Sequence, residues 1–134
     1  MAQGKVLIVD DDLDISKAIK AVLNSEGYTV SCAGSSEEGM QALASQKPDI
    51  IILDVMMKTS SEGFDMARNL RKNSRYKDIP ILMVTAIKQQ TGFDFKPTAG
   101  DPEWLPVDEF LDKPIDPEDL LAKVKSLLEK PEEE

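Results

Sequence analysis

Five side chains in this 134-residue chain would form a reactive group if the fold brought them together: Asp10, Asp11, Asp54, Thr85 and Lys113. Each stands at the end of a stretch that reads as a strand. Val6–Val9 leads into Asp10-Asp11-Asp12, Ile50–Leu53 into Asp54, Ile79–Val84 into Thr85, and Glu109–Leu111 into Asp112-Lys113. Converging carboxylates repel one another and stay ionised together only beside a cation. The chain contains no His, and an all-oxygen donor set suits a hard ion such as Mg²⁺. A threonine hydroxyl and a lysine ammonium are partners for phosphoryl oxygens. Carboxylate, hard metal, hydroxyl and ammonium together describe phosphoryl transfer onto Asp54, giving an acyl phosphate. Taken singly, every one of these residues has a plainer role. Asp10–Asp12 would be an acidic helix start, Asp54 a cap or loop residue, Thr85 a strand-end hydroxyl, and Lys113 a solvated cation. Their occurrence together, in order and at strand ends, favours the chemistry.

Positioning them requires a parallel sheet. Runs of large, mostly β-branched residues read as strands buried on both faces, and open parallel sheets place ligand sites at their carboxyl ends. Apolar residues at 15, 18, 19, 22 and 23 predict a helix over Leu13–Glu26, with Asp12 and Asp14 at its start and Gly27 as its C-terminal cap. Tyr28–Cys32 alternates like an edge strand. Ser35-Ser36-Glu37-Glu38 opens a second helix as a capping box, with Met40, Leu43 and Ala44 facing inward and Pro48 at the exit. Lys58–Gly63 reads as a loop, followed by a third helix from about Phe64 to Lys72 with Phe64, Ala67 and Leu70 or Arg71 at its turns. Pro80 is expected at the first residue of a fourth strand. Asp116-Pro117 starts a last helix, with Leu120, Leu121, Val124, Leu127 and Leu128 as its stripe. Strand–helix alternation with short links implies right-handed crossovers and helices on both faces.

Composition narrows the class. The length suits one domain, expected over 1–134 with a core of about 5–129 and an acidic tail at 130–134. Twenty-five acidic against sixteen basic residues give a net charge of −9, which disfavours direct contact with nucleic acid or anionic lipid. The single Cys32 makes no internal disulfide. Five residues before the first apolar run are too few for a signal peptide, and no apolar run nears the ~18 residues of a membrane span. A soluble, cytoplasmic protein is expected.

The ordered set Val9-Asp10-Asp11, Leu53-Asp54, Val84-Thr85-Ala86 and Lys113-Pro114 resembles response-regulator receiver domains, and so does Glu62–Met66 through Leu70-Arg71. The resemblance covers about residues 5–129. It implies a flavodoxin-like fold, a doubly wound five-stranded parallel sheet of order 2-1-3-4-5. It implies a phospho-acceptor of a two-component phosphorelay, not an enzyme in its own right, taking phosphate on Asp54 from a histidine kinase or phosphotransfer protein. It also implies Mg²⁺, held by Asp11, Asp54 and the carbonyl of Met56, with Asp10 acting through water. Thr85 and Lys113 would hold the phosphoryl group. Thr85 and Phe110 occupy the family's switch positions, although Phe110 has no hydroxyl to donate. The switched face would bind a downstream protein of unknown identity.

Two departures stand out. Lys58 follows Met57 where the family carries proline. Thr85 and Lys113 lie 28 residues apart, longer than usual, and the excess holds Pro97, Pro102 and Pro106 with Phe93, Phe95 and Trp104. Three prolines are hard to fit in one helix, so the family's fourth helix is expected to be shortened, displaced or absent. The aromatics would pin this segment to the body or form a partner patch. The alternative function is a pseudo-receiver, a phosphorylation-independent binding module. A dehalogenase-type phosphatase would need an acid where Met56 stands, and a dinucleotide fold would need glycines after the first strand. The leading expectation is a stand-alone receiver whose output is a protein contact or phosphate relay.

Overall fold

The computed structural model describes residues 4–54, 62–85, 109–112 and 116–129, of which 62–64, 85, 109, 110, 112 and 129 are described by backbone alone. Five strands, β1 (Gly4–Val9), β2 (Tyr28–Ala33), β3 (Ile50–Asp54), β4 (Ile81–Thr85) and β5 (Glu109–Asp112), form one sheet of order β2-β1-β3-β4-β5. Every pairing is parallel. Four helices are described: α1 (Leu13–Ser25), α2 (Ser36–Ser45), α3 (Glu62–Lys72) and α4 (Pro117–Glu129). The α/β, flavodoxin-like architecture matches the expectation. The expected change in the helix between β4 and β5 falls on 86–108, outside the described residues.

β3 is central because its sequence leaves no face for water. Ile50, Ile51, Ile52 and Leu53 are at most 1% exposed. Period-2 alternation sends Ile51 and Leu53 into a core with α2 and α3, and Ile50 and Ile52 into a core with α1 and α4. Burying each such side chain contributes roughly 1.5–3 kcal/mol, which commits the strand to the sheet interior.

The helices start where side chains can serve orphan backbone N–H groups. Asp12 Oδ1 accepts from the N–H of Asp14 at 3.1 Å and of Ile15 at 3.2 Å. Gly27, at φ 95°, ends α1 in the left-handed region that glycine enters freely. Ser35 Oγ accepts from Glu38 N–H at 3.1 Å, and Glu38 Oε1 accepts from Gly34 N–H at 2.7 Å. The reciprocal bond thus reaches one residue beyond the usual capping box. Asp116 Oδ1 accepts from Glu118 N–H at 3.0 Å, with Pro117 at the first helical position.

Four sequence expectations are corrected. In α1, Ala18 is exposed while Ser16 joins Ile19 and Leu23 on the buried stripe. In α2, Ala44 is exposed, and Gly39, Leu43 and partly buried Ala42 and Met40 face inward. A Cβ on Gly39 would lie 2.9 Å from Met66 Cε and 3.0 Å from Val9 Cγ2, so α2 packs closely on α3 and β1 there and a side chain would require Met66 and Val9 to shift. Glu62 and Gly63 belong to α3 rather than to the preceding loop. Met66, Ala67 and Leu70 form its buried stripe. Pro80 lies just before β4, where its carbonyl accepts from Ile51 N–H at 3.0 Å.

Ser16 is 1% exposed, and its hydroxyl has no hydrogen-bond partner among the described residues. A buried hydroxyl left unpaired carries its desolvation cost, and alanine is the better helix former. Ser16→Ala is therefore expected to raise unfolding stability by about 1 kcal/mol, read as a higher urea midpoint at unchanged slope.

The turn between α3 and β4 is held by its own backbone and by one arginine. Tyr76 and Lys77 N–H donate to Asn73 O at 3.0 and 2.9 Å, and Asn73 Oδ1 accepts from Arg75 N–H at 2.8 Å. Arg71 Nη1 donates to the carbonyls of Lys77 at 2.9 Å and Ile79 at 2.8 Å. Arg71→Ala is expected to cost about 1.5–3 kcal/mol, the range for charge-assisted bonds, as a lowered chemical-denaturation midpoint.

Candidate functional site

Parallel strands end on the same side, and β1 and β3 are neighbours. Val9 lies opposite Leu53 in the register, so Asp10, one residue on, arrives beside Asp54. Asp10 is 2% and Asp54 3% exposed, whereas Asp11 faces solvent. One carboxylate oxygen from each of Asp10, Asp11 and Asp54 lies within 4.8 Å of the others. At an effective dielectric of about 20, two charges at that separation repel by roughly 3–4 kcal/mol, less where water reaches Asp11. Such a cluster has the charge and the all-oxygen chemistry that a hard cation takes.

Backbone bonds set the geometry of the cluster. Asp10 N–H donates to Ala33 O at 3.0 Å, tying the end of β1 to β2. Asp10 Oδ1 accepts from Asp12 N–H at 2.8 Å, which folds the chain sharply into α1. Asp12 itself is turned to capping, so the third aspartate of the run stands outside the metal-type cluster. The sequence reading places Asp12 at the helix start and Asp10 and Asp11 at the strand end, and the structure adds the capping bonds. The spacing of Asp12 from Ile15, an acid three residues before a helical apolar stripe, is the signal that marks a cap.

The remaining expected residues are reached only in part. Thr85 is the last residue of β4, and its Cα pairs with that of Asp112, the residue before Lys113. The strand ends bearing Thr85 and leading to Lys113 are therefore adjacent. Phe110 lies in β5 opposite Met83. Met56, Lys58, Phe93, Phe95, Trp104 and Lys113 fall outside the described residues.

A doubly wound sheet of this strand order, with carboxylates gathered at the ends of β1 and β3, defines the receiver class of two-component signalling proteins. The match to known proteins makes the assignment: residues 6–125 fit the response regulator receiver domain, and the chain belongs to that family. It is 40% identical over 129 residues to the DNA-binding dual master transcriptional regulator RpaA of Synechocystis sp., spanning 92% of this chain and 48% of RpaA. A response-regulator candidate from Chloroflexus aurantiacus J-10-fl superposes with a TM-score of 0.82 at 32% identity, covering 95% of this chain and 98% of that one. The chemotaxis response regulator CheY4 of Vibrio cholerae gives a TM-score of 0.74 at 31% identity, covering 95% and 98%. The chain spans about half the length of the curated relatives it matches. Among the described residues, no helix is long and apolar enough to cross a membrane.

Repulsion within the cluster has a measurable consequence. In buffer with a chelator, Asp11→Asn is expected to raise the melting temperature by roughly 2–5 °C, since it removes like-charge repulsion without touching the core. Differential scanning calorimetry checks this; a lower melting temperature would show that the acids are compensated some other way.

Proposed function

We propose that Asp54 is the phospho-acceptor of a phosphorelay, taking its phosphoryl group from a histidine kinase or a histidine phosphotransfer protein. The observation that carries this reading is the approach of the Asp10, Asp11 and Asp54 carboxylates to within 4.8 Å at two neighbouring strand ends. The phosphorus–nitrogen bond of the donor breaks as an oxygen of Asp54 bonds to phosphorus. The buried backbone of β3 holds that oxygen in place, which lowers the cost of orienting it.

Mg²⁺ fits the donor set: three carboxylates, all oxygen, two of them buried. Asp11, Asp54 and the Met56 carbonyl would hold the ion, with Asp10 acting through water, and when bound it supplies positive charge that neutralises the acids and the phosphoryl oxygens. Thr85 and Lys113 are proposed to hold phosphoryl oxygens by hydroxyl and ammonium donors. A phosphate adds roughly −1.5 to −2 charge. Thr85 moving towards it frees space into which Phe110 turns, and the change is a shift between states present beforehand. We assign this role to one receiver unit over 1–134, acting in the cytoplasm through a downstream protein.

Beryllofluoride titration with Mg²⁺, followed by Trp104 fluorescence, tests the reading. Saturable binding is expected in the wild-type protein and should be absent in Asp54→Asn. Phosphorylation of Asp54→Asn by a kinase or small phosphodonor at the wild-type rate would sink the assignment. No response in the wild-type protein by fluorescence or NMR would favour a phosphorylation-independent binding module.

A further inference from the structure

The cations of this acidic chain are unevenly placed. Residues 68–77, Arg-Asn-Leu-Arg-Lys-Asn-Ser-Arg-Tyr-Lys, hold five cations and no acid, against a net charge of −9 for the whole. Two of the five are held by oxygen partners within the fold. Arg68 pairs with Asp65 at 2.7 Å, and Arg71 holds the carbonyls of Lys77 and Ile79. Lys72, Arg75 and Lys77 are exposed and form no ion pair among the described residues; Asp78, the one acid in the turn, follows Lys77. The dipole at the end of α3 accounts for a cation at Lys72, but Arg75 and Lys77 lie beyond the helix.

The turn that carries them is built rather than loose. Tyr76, 5% exposed, anchors it in the core. Asn73 and Arg71 fix its backbone through the bonds described above, and the Arg75 guanidinium sits 5.5 Å from the centre of the Tyr76 ring. A backbone fixed before binding loses less entropy when a ligand arrives. The register of β3 with β4, Ile51 opposite Ile81 and Asp54 opposite Val84, puts this turn at the other end of the sheet from the acidic cluster.

We propose that the turn 72–77 is a docking surface for an acidic segment of a partner protein, separate from the phospho-acceptor end. Opposite charge selects the partner's chemistry. A nucleic acid is the poorer fit, because three cations release few counterions and the acidic remainder repels a long polyanion. A short acidic segment meets the cations without spanning that remainder.

Fluorescence anisotropy with a labelled octapeptide of alternating Asp and Glu tests this on the full chain. Binding is expected at low salt and should weaken at roughly 0.3 M NaCl. The triple variant Lys72→Gln/Arg75→Gln/Lys77→Gln should bind at least about tenfold more weakly, a loss of ~1.4 kcal/mol. Lys17→Gln/Lys20→Gln, exposed on α1, should bind as the wild type does. The single variants Arg75→Gln and Lys77→Gln, each weaker by a few-fold, decide the matter if the triple variant melts early. The proposal is overturned if the peptide does not bind, if the turn variants bind undiminished, if the α1 variant weakens binding equally, or if a single-stranded oligonucleotide of equal charge binds the turn more tightly.

Discussion

The structure turns on one electrostatic constraint: three carboxylates are held together at the ends of strands that cannot leave the interior. Asp10 and Asp54 follow runs that are almost fully buried, so neither acid can swing far into water without pulling β1 or β3 out of the sheet. The apolar burial along those strands offsets the repulsion. It also fixes the acids where a cation gains from their combined charge. The same burial on both sheet faces accounts for the paired helices, α2 and α3 on one side and α1 and α4 on the other.

Three successive aspartates show how finely a charge run is divided by local geometry. Asp10 is buried and accepts a bond from the backbone two residues on, Asp11 faces solvent, and Asp12 caps α1. Only the first two contribute to the cluster with Asp54. A count of acids would treat them alike. Their chain positions relative to the end of β1 and the first turn of α1 separate them.

The strands were legible in the sequence because a buried parallel strand reads as a continuous apolar run, as in Ile50–Leu53, and because Asp116-Pro117 and Ser35–Glu38 carry helix starts in their side chains. The strand order was not in the residues; it came with the family likeness. Helix phase was read less well. Ser16 replaces Ala18 on the buried face of α1, since hydropathy ranks alanine above serine whatever the direction of the side chain. Gly39 went unnoticed as a packing position because its contribution is a missing side chain, and only the distances to Met66 and Val9 make it visible. At the site, the grouping of Asp10, Asp11 and Asp54 followed from their strand-end positions. The hydrogen bonds that assign Asp12 elsewhere depend on backbone turns that spacing suggests but does not specify.

The central place of β3 has a further meaning for how the chain breathes. β3 is paired on both edges and covered on both faces, so its amide groups exchange with solvent only through openings that dismantle the domain. β2 has one free edge and alternates buried with exposed residues, so it opens at lower free energy. Asp54 thus ends a strand that is paired on both edges and buried on both faces, away from any fraying margin.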